Sequence, residues 1–122
     1  MRLKKDVIVK ELLHLNPKLI IIFGSYAKGL QTNDSDLDIA FYSDKNIDNY
    51  NRWLLAQEIA IELNIDVDLV DLKNANDVLK FEIVSSGEVI LNKNMDIFLD
   101  RSYTNYFQLN DDRREILEYY DG

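Results

Sequence analysis

FGSYAKGLQTNDSDLDIA, residues 23–40, is the stretch on which the reading of this chain turns. It opens at the end of the apolar run KLIIIF, residues 18–23, a pattern that suits a strand buried on both faces. Gly24 then lets the backbone turn sharply and come close to a ligand. Ser25 reads as the N-cap of a short helix over Tyr26 to Lys28, closed by Gly29. Amides at the start of such a helix carry partial positive charge and suit phosphate. The Ser25 hydroxyl adds a hydrogen bond, and Lys28 is placed to touch a phosphate. By itself the Gly-Ser pair is equally a plain strand-to-helix turn, and Lys28 equally a solvated lysine.

Ten residues separate Ser25 from Asp36, and Asp36 and Asp38 bracket Leu37 in a second strand over 36–42. Strand side chains alternate, so the two carboxylates share one face, about 7 Å apart along the strand. Leu37 and Ile39 face the core. The alternative is an exposed acidic strand end. A third strand, IDVDLV at 65–70, repeats the pattern with Asp66 and Asp68. Asp68 has apolar neighbours on both sides and reads as the deeper of the two, while Asp71 has the wrong parity to join it. Asp34 is assigned to turn chemistry in its loop. If the two strands are neighbours, Asp36, Asp38 and Asp68 converge. Three carboxylates in one place stay ionised only when cations neutralise them, and oxygen-only ligation favours Mg²⁺. Two Mg²⁺ ions beside a phosphate-binding turn form an arrangement for nucleotidyl transfer.

The rest of the chain supplies the frame. Residues 2–15 read as a helix ended by Asn16-Pro17, residues 49–63 as a helix with Trp53, Ala56, Ala60 and Leu63 on its core face, and residues 75–85 as a helix ending near Gly87. Residues 88–91 read as an edge strand, and the chain from about 96 to 119 as helical. The expected class is α/β (α+β), a small mixed sheet with helices packed mainly on one side. With 122 residues, the expectation is a single domain over 1–122. The absence of cysteine excludes disulfides, thiolate zinc sites and cysteine nucleophiles. No apolar run approaches the ~20 residues of a membrane span, and the expected location is the cytoplasm. The net charge of −8 speaks against direct nucleic-acid binding and for a metal site or a basic protein partner. His14, the one histidine, reads as structural. Tyr103, Tyr106 and Phe107, with Arg113 and Arg114, suit either a partner-binding helix or packing on the sheet.

Gly24-Ser25, ten residues, then Asp36-x-Asp38, with a later Val-Asp-Leu-Val at 67–70, resembles the DNA polymerase β-like nucleotidyltransferases. The small size and a tail of Leu109-Asn110 before Arg113-Arg114-Glu115-Ile116-Leu117 resemble, more narrowly, the minimal nucleotidyltransferases of MntA type, antitoxins that pair with HEPN-domain toxins. The resemblance implies that Gly24 and Ser25 hold nucleotide phosphates, that Asp36 and Asp38 bind metal, and that Asp68 is both metal ligand and base, with Asp66 as the substitute. It implies two Mg²⁺ ions and transfer of AMP from ATP to a tyrosine hydroxyl of a HEPN toxin, held in a hetero-oligomer and neutralised. Two other readings are a small-molecule hydroxyl as acceptor, and an antitoxin that blocks its partner without catalysis.

Overall fold

The computed structural model describes the backbone of residues 3–121 and the side chains of residues 3–109. The elements run α1 (Lys5–Leu12), β1 (Leu19–Phe23), α2 (Ser25–Lys28), β2 (Leu37–Tyr42), α3 (Asn49–Leu63), β3 (Val67–Asp71), α4 (Asp77–Ser86), β4 (Glu88–Asn92) and α5 (Asp96–Asp121). Short 3-10 turns at Leu13–Leu15 and Leu72–Asn74 join them. The expected first helix divides into α1 and the first of these turns, and left-handed Asn16, φ 49°, closes it ahead of Pro17.

The four strands form one mixed sheet in the order β3-β2-β1-β4. β1 is antiparallel to both neighbours, and β2 and β3 run parallel. β4 is an edge strand, as its sequence suggested, and β3 is the other edge. Apolar residues at every position of β1 need cover on both faces, and they have it. Ile20 and Ile22 join Leu37, Ile39, Phe41 and Leu69 against Ile8 and Leu12 of α1 and Leu55, Ala56 and Ile59 of α3. Leu19, Ile21 and Ala40 point the other way, toward Ile83 of α4, Met95 just before α5, and Phe98 and Leu99 in its first turn. Helices thus cover both faces of the sheet rather than mainly one.

Two local details bear on the site. α3 buries Leu55, Ala56 and Ile59, so its core stripe is rotated away from Trp53, which is 56% exposed instead of core. Asp71 is buried and caps the 3-10 turn after β3. It accepts from the Lys73 amide at 3.0 Å and from Asn74 Nδ2 at 2.9 Å, and its parity keeps it apart from Asp68.

The α5 aromatics pack on α4. Phe81 stacks on Tyr106 with ring centroids 3.9 Å apart and meets Tyr103 and Phe107 edge-on. The side chains of Arg113 and Arg114, and of the Leu109 tail from Asn110 onward, lie outside the described residues. His14 is exposed in the first 3-10 turn, where its carbonyl accepts from Lys45 Nζ at 3.0 Å. No helix among the described residues is long and apolar enough to cross a membrane.

Candidate active site

Strand pairing lines up the acidic residues at one end of the sheet. Phe23, the last residue of β1, sits opposite Asp38 on β2, and Asp38 sits opposite Asp68 on β3. Gly24 follows Phe23 directly. The order across the sheet is therefore the Gly24 turn, then Asp38, then Asp68. Asp36 lies just before β2 with the parity of Asp38. The ladder continues there, because the Leu37 amide donates to the Asp66 carbonyl at 2.8 Å.

Gly24 has φ 70° and ψ −150°, a region essentially restricted to glycine. A Cβ placed there would lie 2.2 Å from Asp38 Oδ2. The turn and the carboxylate are thus in direct contact, and the missing side chain is what makes the contact possible. Gly24, not Ser25, is the boundary residue of α2. Ser25 is the first helical residue, half-buried at the start of α2, with its side chain outside the capping position. The first bond of the turn runs from the Lys28 amide to the Gly24 carbonyl at 3.3 Å. The earlier amides have no acceptor within the helix. Lys28 is exposed at the end of α2 and, among the described residues, makes no ion pair.

Burial lifts the Asp38 carboxyl above the ordinary carboxylate range, and the charges of Asp68 and Asp36 push it further the same way. Asp38 therefore feels both neighbouring acids. Asp66, exposed and ahead of β3, is not among the charges acting on Asp38. Asp68 is itself exposed, not deep, because β3 is an edge strand. Among the described residues, no three carboxylate or imidazole groups form a ready ion cage.

The raised Asp38 value has a consequence for stability. The folded state holds the proton more tightly than the unfolded chain, so the group's contribution is most favourable below the unfolded value near 3.8 and is lost as pH rises through the folded pKa. Asp38→Asn is expected to raise the melting temperature in EDTA at neutral pH, with the gain shrinking under acid. Calorimetric melts at both pH values check this, and a lowered neutral-pH melting temperature contradicts it.

Two shallow, open depressions of about 260 Å³ lie along the outer edge of β3, and Arg52, Asp68 and Leu69 line both. Asn49 and Trp53 of α3 complete one, and Asn74 and Leu79 the other. Arg52 and Trp53 carry no motif, and a helical Arg-Trp pair reads as surface and core. Only the placement of α3 beside β3 exposes their connection with Asp68.

Comparisons with known proteins agree with this geometry. Residues 7–96 match the family model described as Polymerase beta, Nucleotidyltransferase. The chain is 38% identical over 121 residues to the protein adenylyltransferase MntA of Shewanella oneidensis, covering 96% of this chain and 87% of that protein. It superposes with a TM-score of 0.85 on a chain of a toxin–antitoxin crystal structure with AMP-PNP, at 35% identity over 98% of this chain and all of that one. A second match is a chain of the complex between tri-AMPylated Shewanella oneidensis HEPN toxin and MNT antitoxin, with a TM-score of 0.76 and 33% identity over 97% of this chain and 96% of that one. The family match spans β1, the Gly24 turn, β2 and β3, the elements that build the acidic end of the sheet, and the chain belongs to the polymerase β nucleotidyltransferase family.

Proposed function

We propose that this protein is an antitoxin that transfers AMP from ATP to a tyrosine hydroxyl of a HEPN-domain toxin and so neutralises it. The observation that carries the reading is the alignment of the Gly24 turn, Asp38 and Asp68 across three adjacent strands, with Asp36 beside them. Support for the acceptor comes from the relatives: an adenylyltransferase covering nearly the whole chain, and an AMPylated HEPN toxin bound to its MNT antitoxin.

In this reading Gly24 and Ser25 take the triphosphate through backbone amides and the Ser25 hydroxyl, and Lys28 adds charge from the end of α2. Asp36, Asp38 and Asp68 would hold two Mg²⁺ ions. The fit rests on the donor set: three oxygen ligands at one end of the sheet, where burial first, and then the charges of Asp68 and Asp36, raise the Asp38 pKa. The metal, when bound, would neutralise the triphosphate and lower the pKa of the attacking hydroxyl. Asp68 accepts the proton of that hydroxyl. Its oxygen attacks the α-phosphorus, the bond to pyrophosphate breaks, and pyrophosphate leaves on the Gly24 side. The tri-AMPylated toxin of the related complex supports a transfer that repeats.

Intact-mass spectrometry of the co-purified HEPN partner tests the proposal. Incubation with ATP and Mg²⁺ is expected to add whole AMP increments, and EDTA to abolish them. Transfer to a small molecule alone, or protection of cells with no added mass on the partner, would overturn it.

A further inference from the structure

We propose that Arg52 and Trp53 form a nucleotide subsite on the acceptor side of Asp68, which holds an AMP already attached to the partner and lets transfer repeat. The inference rests on the function proposed above.

The order of residues across the sheet gives the site two sides. Triphosphate belongs at the Gly24 turn, on the β1 side of the acids. The acceptor must then approach from the β3 side, past Asp68. That side is the pair of depressions along the β3 edge. Arg52 lines both of them, together with Asp68. It is half-buried, its Nη2 donates to Asn49 Oδ1 at 3.1 Å, and among the described residues it makes no ion pair. A cation without a carboxylate partner among the described residues is unexpected where Asp68 and Asp71 share its surroundings in a chain of net charge −8. Its guanidinium fork matches a phosphate.

Trp53 is the second observation. It is 56% exposed, lines the same depression as Arg52, and is stacked on Tyr50 with ring centroids 6.3 Å apart. An exposed indole held in place by a neighbouring ring is a platform for a base. Phosphate on Arg52 and adenine on Trp53 together describe a nucleotide, not a tyrosine.

A docked partner presents one hydroxyl to one catalytic centre. The first AMP consumes that hydroxyl and brings ribose hydroxyls in its place. In the next round a ribose oxygen attacks the α-phosphorus of a new ATP, its proton passes to Asp68, and pyrophosphate leaves. The phosphate of the attached AMP is an anion that the acidic wall repels unless Arg52 receives it. The first transfer, onto a neutral tyrosine, has no such need.

Two measurements test this. The first is intact mass of the HEPN partner against time. Wild type is expected to progress from one AMP to several. Arg52→Ala and Trp53→Ala are expected to keep the first addition while slowing later ones ~10-fold or more, in line with stacking worth about 1–3 kcal/mol per base. Arg52→Lys should restore later additions in part. The second needs no turnover: Trp53 is the chain's one tryptophan, so 5′-AMP in EDTA is expected to quench its fluorescence, and at least ~10-fold more weakly in Arg52→Ala. An unchanged product ladder in Arg52→Ala, equal slowing of first and later additions, or AMP groups on separate partner residues would each overturn the subsite. Absence of any AMP with wild type would instead overturn the function on which it rests.

Discussion

Asp68→Asn is expected to cut AMP transfer by roughly 10²–10⁴-fold, the range for losing a positioned general base, while partner binding persists. Asn keeps the size and shape of Asp, and position 68 is exposed on an edge strand, so the fold has little reason to respond. The substitution removes the proposed proton acceptor and one negative charge. Relief of that charge also lowers the Asp38 pKa, because Asp68 is the larger of the two carboxylate influences on it. Asp38 then ionises more readily, and a fall in rate cannot be traced to its protonation. A pull-down and a growth assay on the same variant separate catalysis from blocking. The expected result is a complex that forms but no longer protects cells. Protection at wild-type level without AMP on the partner would mean that the antitoxin works by occlusion.

The acids were legible in the sequence because strand parity is a local property. Asp36 and Asp38 share a face whatever the strand's neighbours are, and so do Asp66 and Asp68. Apolar neighbours favour Asp68 over Asp66, and the register of β2 on β3 sets Asp68 opposite Asp38. No residue encodes that register by itself. The same limit explains the expected depth of Asp68. Its apolar neighbours Val67 and Leu69 describe the other face of β3, and only the strand order makes β3 an edge.

Helix faces were legible less well. Apolar residues occur all round α3, so a stripe through Trp53, Ala56 and Ala60 and a stripe through Leu55, Ala56 and Ile59 fit the sequence about equally. Packing against the sheet selects the second and turns Trp53 outward beside β3. The run KLIIIF already required cover on both faces of the sheet, yet the helices that provide it, α4 and α5, come late in the chain and carry no mark of which face they take. The pairing of Phe81 with Tyr106 joins residues far apart in sequence, beyond the reach of any local pattern.

Gly24 gives the sharpest test of the site, because a single methyl group is expected to abolish transfer. Gly24→Ala places a Cβ 2.2 Å from Asp38 Oδ2 and 3.1 Å from Asp38 Cγ. Either the carboxylate rotates off its position or the turn gives way. Displacement of a reacting group by about 1 Å is worth roughly 10²-fold in rate, and here the turn proposed to hold phosphate and the carboxylate proposed to hold metal move together. Gly24→Val adds branching at a backbone conformation that side chains avoid and should be at least as severe. The strain alone costs about 1–3 kcal/mol of stability, so loss of activity has to be separated from loss of fold. Gly29 is the control. It has the same φ of 70°, but a Cβ there meets nothing within 4 Å. Gly29→Ala is expected to lose about 1–2 kcal/mol for its left-handed backbone and keep most of its transfer rate. Melting curves and AMP incorporation on the two alanine variants should therefore diverge: both lose stability, Gly24→Ala the more, but the gap in rate far exceeds the gap in stability. Equal transfer by both would show that the close approach of Gly24 to Asp38 serves the fold and not the chemistry.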